Sequence, residues 1–141
     1  MRTLIRRRKG MFDFERKPHG VMEPKPEKGG YIFREPKGDP DMLFFSDDDG
    51  LDSIMKAAAL LSVQGYTARI VVLNDAELFD RQPESYRKLV FPETIPAKFG
   101  YAPAEDRAKR FKAYSDHVFS GETEPGQFAK VALSEAKKIW E

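Results

Sequence analysis

Two short, mostly apolar runs separated by one amphipathic segment narrow the folds open to this chain more than any other feature. The runs are residues 42–45 and 68–73, and apolar runs of this length are typical of strands buried on both faces. Between them, apolar side chains recur at helical spacing over residues 51–61, and Gly65 is a natural helix end. Strand, helix and strand in close succession predict a parallel, right-handed βαβ unit and therefore an α/β fold.

The segments on either side of this unit continue the pattern. Residues 31–34 are predicted to form a short strand because three of the four are aromatic or β-branched. Asn74 and Asp75 follow the second apolar run and can cap a short helix over residues 76–79. Residues 82–87 suggest a second short helix.

The C-terminal third predicts one loop and two helices. Residues 92–103 hold three prolines and one glycine, which predict a loop. Helical spacing of apolar residues predicts helices over residues 104–117 and 125–140. Thr123 is the expected cap of the last helix, and Pro125 lies in its first turn.

The apolar faces of these elements predict the hydrophobic core. The residues expected in it are Leu43, Phe44, Ile54, Met55, Ala58, Leu61, Ile70, Val72, Phe79, Phe111, Phe128, Val131 and Ile139.

Composition excludes several classes of function. The 141 residues are one domain's length, and a net charge of +1 gives no field to steer the chain toward nucleic acid or membrane. The chain has no cysteine, which excludes disulfides, thiolate metal sites and cysteine nucleophiles. His19 and His117 are far apart in sequence, so neither predicts a zinc site or a triad. We expect an intracellular protein, cytoplasmic or organellar and not secreted.

The first 28 residues differ from the rest of the chain. They are rich in proline and glycine and open with a basic cluster, which predicts an extended arm over residues 1–28 and a domain over residues 29–141. The basic start is open to three interpretations: a solvated tail, a phosphate contact, or an Arg-rich mitochondrial targeting segment. If the arm docks on a partner protein, the interface candidates are Arg6, Arg7, Arg8, Phe12 and Phe14.

An acidic turn follows the first apolar run. It contains Asp47, Asp48 and Asp49 before Gly50, and a calcium loop with Gly50 at its sixth place would put phenylalanine first and lysine twelfth, so that motif is excluded. Two interpretations remain for these three carboxylates: a magnesium site, or the simpler one of a solvated turn that caps the helix. A phosphate-binding loop is not predicted, because four carboxylates surround one glycine.

Residues 76–92, Ala-Glu-Leu-Phe-Asp-Arg-Gln-Pro-Glu-Ser-Tyr-Arg-Lys-Leu-Val-Phe-Pro, resemble the C-terminal domain of transketolase. The family pattern there is Trp-Glu-Leu-Phe, then Tyr-Arg, then Val-Leu-Pro. Residues 65–72 are similar to the family's second parallel strand, and residues 29–33 resemble the Gly-Ala-Tyr-Val-Leu that opens the domain. The resemblance implies a small, mostly parallel three-layer α/β sheet behind the extended N-terminal arm.

The chain departs from the family pattern in two places. The family's strand–helix turn reads Thr-Gly-Ser-Glu-Val, whereas residues 47–51 read Asp-Asp-Asp-Gly-Leu. After Pro92 the family continues with two further strands, whereas residues 98–105 here already resemble its closing Phe-Gly-x-Ser-Ala-Pro-x-Glu. The resemblance therefore implies a sheet reduced by one or two strands.

The resemblance also bears on catalysis. The family's thiamine diphosphate and Mg²⁺ segment, Gly-Asp-Gly…Asn, has no counterpart in this sequence, and neither does its pyrimidine-binding domain. Arg8, or alternatively Arg7, resembles the arginine of the family's Ser-Arg-Gln that helps to hold the substrate phosphate. We therefore expect no catalytic residue and no cofactor bound by this chain alone.

Three functions from different classes follow from these expectations. The first is a non-catalytic accessory subunit that docks on a larger protein assembly through its N-terminal arm. The second is the C-terminal subunit of a split transketolase, with thiamine diphosphate and Mg²⁺ on the partner chain. The third is a small regulatory or ligand-binding module. In none of them do we predict nucleic-acid binding.

Overall fold

A computed structural model describes residues 19–141 of the chain, and these form an α/β fold. The strands are β1 (Gly20–Val21), β2 (Gly30–Glu35), β3 (Met42–Ser46), β4 (Ala68–Leu73), β5 (Lys98–Ala102) and β6 (His117–Ser120). The helices are α1 (Leu51–Val63), α2 (Ala76–Asp80), α3 (Glu84–Val90), α4 (Glu105–Phe111) and α5 (Pro125–Trp140), and Pro26–Lys28 form a 3-10 turn. Within residues 19–141 no helix combines the length and the apolar character needed to cross a bilayer.

The strands form one mostly parallel sheet in the order β1-β2-β4-β3-β5-β6. β3 runs parallel to β4 on one side and to β5 on the other, and β5 runs parallel to β6. β2 pairs antiparallel with β4, and β1 pairs antiparallel with β2. The predicted parallel unit of β3, α1 and β4 is confirmed, and residues 42–45 are buried in β3, as their apolar character predicted.

Helices cover both faces of the sheet, which confirms the three-layer arrangement. One face packs Phe44 and Phe99 against α1 and α5. The other face packs Phe45 and Val71 against α2, α3 and α4. The division follows from strand geometry, since successive side chains such as Phe44 and Phe45 point to opposite faces.

The end of α1 follows the prediction at Gly65. Its φ of 89° is in the left-handed region, and its N–H donates to the carbonyl of Ser62 at 3.0 Å. The N–H of Tyr66 reaches the carbonyl of Leu61, also at 3.0 Å. These two bonds are the Schellman pattern, in which glycine avoids the steric cost of a Cβ.

Two predictions in the C-terminal third are wrong. Residues 98–102 are a strand, β5, and not part of a loop. The predicted helix over residues 104–117 ends at Phe111, and His117 lies in β6. Both strands are short, and β5 carries a glycine, so neither shows a local pattern. Backbone hydrogen bonds pair β5 with β3 and β6 with β5, and such pairing between distant segments leaves no trace in the local residue pattern.

The last helix, α5, has the predicted range but a different rotation and cap. Ile139 is 37% exposed, contrary to the prediction, because the buried stripe of α5 runs instead through Phe128, Ala132 and Ala136. Of the other predicted core residues, Met55, Ala58 and Val131 are only half-buried. Thr123 does not cap α5: its hydroxyl donates to the carbonyl of Ser120 at 3.0 Å, and α5 begins after Glu124 without a side-chain cap.

Gly100 in β5 gives a prediction about packing. A Cβ at this position would lie 2.5 Å from Cζ of Phe45, whose buried ring packs on Phe91 and Phe111 and cannot swing away. We expect Gly100→Ala to lower the free energy of unfolding by about 1–3 kcal/mol through overpacking, measured by urea denaturation. Adding Phe45→Leu should recover part of that loss.

The matched control for this prediction is Gly126→Ala in the first turn of α5. A Cβ there would meet only Cδ1 of Leu60, at 4.0 Å. Alanine also favours a helix over glycine by up to about 1 kcal/mol, so stability should be unchanged or raised. Equal losses from the two substitutions would contradict the packing argument at Gly100.

Candidate functional site

The fold places one candidate site at the carboxyl ends of β3 and β5. These strands are neighbours, yet β3 leads into α1 on one face and β5 leads into α4 on the other. In open α/β sheets such a switch point forms the crevice where ligands bind. The residues that reach this edge therefore decide what the chain can bind there.

Asp47 is the buried charge of this edge, with 1% of the residue exposed. Its Oδ1 accepts the N–H of Gly50 at 2.9 Å, which closes the turn into α1. Its Oδ2 lies 3.2 Å from Nη1 of Arg107 in α4, whose side chain is 46% exposed. The pair joins the two sides of the switch point and neutralises the buried carboxylate, which would otherwise be costly to desolvate.

Asp48 joins the same loop to the end of β4. Its N–H donates to Oδ1 of Asn74 at 2.8 Å, and its Oδ2 accepts from Nδ2 of Asn74 at 2.9 Å. Asp75 caps α2 as predicted, since its Oδ1 accepts the N–H of Leu78 at 3.0 Å. Asn74 thus serves the neighbouring loop rather than the helix that follows it.

Two tyrosines pack along this edge. The hydroxyl of Tyr101 donates to the carbonyl of Gly121 at 2.6 Å, and its ring lies against Gly50. Tyr31 in β2 is buried, and this burial together with the negative charge of Asp48 raises the pKa of its hydroxyl. Tyr31 therefore stays protonated at neutral pH and adds no negative charge.

The acidic turn does not arrange its carboxylates around a common point. Asp47 pairs with Arg107 and Asp48 with Asn74, while Asp49 is exposed. Across residues 19–141 no group of three or more His, Cys, Asp or Glu side chains is placed to hold a metal ion. A thiamine diphosphate–Mg²⁺ pair does not fit this edge, because Asp47 and Asp48 already have partners and the acidic turn would repel the diphosphate.

The remaining predicted site residues fall elsewhere. Arg6, Arg7, Arg8, Phe12 and Phe14 lie outside the described residues. His19 is exposed, and His117 lies in β6 with its ring centroid 5.3 Å from that of Phe99.

Sequence reasoning missed Arg107 and the role of Asn74. Arg107 faces Asp47 only because β5 and α4 bring it to the switch point, and β5 was predicted as loop. For Asn74 a signal existed: residues that follow two parallel strands meet at the same edge of the sheet. Applied to residues 47–48 and 74–75, that rule brings the two loops together.

Ser46 at the end of β3 gives a further prediction. Its hydroxyl oxygen is fully buried, and within the described part of the chain it has no hydrogen-bond partner. A buried hydroxyl without a partner costs about 1–3 kcal/mol of desolvation, so Ser46→Ala should raise the free energy of unfolding by about 1 kcal/mol. The measurement is thermal or urea unfolding, and a loss of stability would show that the hydroxyl makes a stabilising contact.

The fold and this edge define a class: an open, doubly wound α/β domain whose switch point is crossed by the Asp47–Arg107 ion pair. The family model described as the transketolase-like TK C-terminal domain matches residues 29–125. The chain belongs to this family.

Known transketolases share both sequence and fold with the chain. Transketolase 2 of Escherichia coli strain K12 is 32% identical over 96 residues, which is 68% of this chain and 14% of that protein. Transketolase 2 of Aliivibrio fischeri is 32% identical over 68 residues, covering 48% of this chain and 10% of the relative. The chain thus spans a small part of the relatives it matches.

Solved structures show the same fold. Transketolase from Leishmania mexicana matches with a TM-score of 0.70 at 20% identity, covering 82% of this chain and 19% of that one. Transketolase from Pichia stipitis, solved with sedoheptulose 7-phosphate, matches with a TM-score of 0.63 at 23% identity, covering 86% and 18%.

Proposed function

We propose that this chain is a non-catalytic accessory subunit, derived from a transketolase C-terminal domain, that docks on a larger protein assembly. The observation that carries the proposal is the state of the switch point. The Asp47–Arg107 ion pair crosses the crevice between β3 and β5 in which this architecture would bind a small molecule, and the Asp48–Asn74 hydrogen bonds tie the same loop to the end of β4. Because its own side chains occupy the switch point, the domain is proposed to supply protein-binding surfaces and not a catalytic site.

Charge supports a protein as the partner. The whole chain has a net charge of +1, which supplies no electrostatic attraction to nucleic acid. The local concentration of positive charge is at the start of the chain, in Arg6, Arg7 and Arg8, with Phe12 and Phe14 close behind. Arginine and phenylalanine are enriched at protein interfaces, so the arm is the proposed docking element. The chain itself is proposed to hold no cofactor.

Native purification tests this role. The full chain, tagged and isolated gently from its own cells, should elute far above its 16.1 kDa monomer mass with a partner in fixed stoichiometry. Arg7→Glu combined with Arg8→Glu should release it as a monomer. The matched control is Lys109→Glu with Lys112→Glu, two exposed lysines at α4. A wild-type chain that elutes as a free monomer would contradict the proposal.

One alternative is favoured by the 32% identity with Transketolase 2 of Escherichia coli. In that case the chain is the C-terminal subunit of a split transketolase, and its partner carries the thiamine- and pyrimidine-binding domains. The purified complex, supplied with thiamine diphosphate, Mg²⁺ and a sugar phosphate, should then catalyse ketol transfer only when both chains are present. If the purified complex shows no ketol transfer, the split-enzyme alternative is wrong and the accessory role remains.

A further inference from the structure

α1 and α5 pack side by side on one face of the sheet and leave a groove between them on the outside. The groove measures about 640 Å³. One side is lined by Leu60 of α1 and by Gln64, which follows α1, and α5 contributes a stripe of Gly126, Ala129, Lys130, Leu133, Ser134 and Lys137. This "α1–α5 groove" lies on the layer of helices and away from the switch point described above.

The floor and one rim of the α1–α5 groove are apolar. Ala129 is buried at its base, and Leu133 packs partly against the core. Leu60, on the rim, is 47% exposed. Gly126 lies at one end of the groove, where a Cβ would come 4.0 Å from Cδ1 of Leu60. Large apolar side chains left uncovered in one place mark an interaction surface.

The charges around the α1–α5 groove have one sign. Lys130 and Lys137 are its charged lining residues, and neither forms an ion pair within residues 19–141. By contrast, Lys56 in α1 and Lys138 in α5 are paired with Asp52 and Glu135. The groove therefore presents an apolar floor with two uncompensated positive charges on the α5 side.

We propose that the α1–α5 groove binds an acidic amphipathic helix of a partner protein. A third helix laid between two packed helices would place one apolar stripe on Leu60 and Leu133, and glutamates at its edge would meet Lys130 and Lys137. The chain's own arm has the wrong charge for this position, since residues 1–18 contain seven basic and two acidic residues. The proposal rests on the docking role proposed above and adds the chemistry of a second contact.

Synthetic peptides added to the full chain test this inference without any native partner. The probe is a helical peptide of about four turns with leucines along one stripe and glutamates beside it; a second peptide has lysine in place of every glutamate. Fluorescence anisotropy should show micromolar binding of the acidic peptide. Lys130→Glu with Lys137→Glu should weaken it about tenfold or more and should strengthen binding of the basic peptide.

Two further variants complete the design. Leu60→Gln should weaken binding of the acidic peptide about fivefold, because it removes an apolar contact worth about 1 kcal/mol. Lys109→Glu with Lys112→Glu, on the far face of the sheet, should leave binding unchanged. Circular dichroism and a melting curve for each variant separate loss of binding from loss of fold.

Three results would overturn the inference. One is no binding of the acidic peptide up to about 1 mM, far above the expected micromolar range. Another is equal or tighter binding of the basic peptide to the unmodified chain, which would point to the arm as occupant. The last is a concentration-dependent dimer in sedimentation that Leu60→Gln dissolves, which would assign the groove to a second copy. If the native chain elutes as a monomer while the acidic peptide still binds, the proposed docking role is wrong, but the proposed preference of the groove for an acidic helix is retained.

Discussion

Glu35→Leu is expected to lower the free energy of unfolding by about 3–5 kcal/mol, since it leaves a buried guanidinium without its counterion. Arg69 in β4 is 9% exposed. Its Nε and Nη2 donate to the two carboxylate oxygens of Glu35 in β2 at 2.9 and 2.6 Å. Its Nη1 donates to the carbonyl of Leu89 at 2.8 Å, near the end of α3. One side chain therefore ties two strands and a helix together.

A double substitution separates two free energies: the cost of leaving the Arg69 guanidinium unpaired, and the net contribution of the Glu35–Arg69 ion pair to stability. Glu35→Leu with Arg69→Met removes both charges, and such replacements of buried ion pairs are often neutral or stabilising. The double variant should therefore be more stable than Glu35→Leu alone. Glu84→Gln, which breaks the exposed pair with Lys88, is the matched control and should have little effect. Urea denaturation measures all three, and a loss below about 1 kcal/mol for Glu35→Leu would contradict the argument.

Phe128→Ala is expected to destabilise the fold by about 3–5 kcal/mol. Phe128 is 2% exposed, and its ring centroid lies 4.9 Å from that of Phe44 and 5.1 Å from that of Phe119. The other fully buried residues of α5 are alanines, at positions 129, 132 and 136. Phe128 is therefore the largest buried side chain of α5, while Leu133 and Trp140 pack only partly against the core.

Ile139→Ala is the control for that prediction. It removes an aliphatic side chain from the same helix at a site that is 37% exposed, and it should cost about 1 kcal/mol or less. Hydrogen exchange of the α5 amides should accelerate in Phe128→Ala and remain close to wild type in Ile139→Ala. Similar losses for the two variants would show that Phe128 does not anchor the helix.

The two strongest patterns in the sequence account for the centre of the fold. The apolar runs of β3 and β4 and the amphipathic stripe of α1 depend on burial alone, and burial leaves a local trace in residue type and spacing. Gly65 and Asp75 were also predictable, because helix termini require particular residues within one turn. The resemblance to the transketolase C-terminal domain, drawn from residues 29–92, is confirmed by the family match over residues 29–125.

The candidate site was only half predictable. The acidic turn was recognised, but as a set of three equivalent carboxylates. The structure gives them different surroundings: Asp47 is buried against Arg107, Asp48 bonds Asn74, and Asp49 faces solvent. Those differences come from partners 26 and 60 residues away along the chain, and no local pattern encodes a partner at that distance.

By itself the sequence determined the family, the parallel βαβ centre, the end of α1 at Gly65 and the start of α2 at Asp75, because residue type and short-range spacing record each of them. Tertiary structure alone decided that residues 98–102 form a strand. There Gly100 leaves room for the Phe45 ring, and the backbone hydrogen bonds are completed by β3 and β6. The tertiary structure likewise decided the rotation of α5, where burying Phe128 against Phe44 turns Ile139 toward solvent. In both cases the deciding energy is contact between segments far apart in the chain, which exists only once the chain has folded.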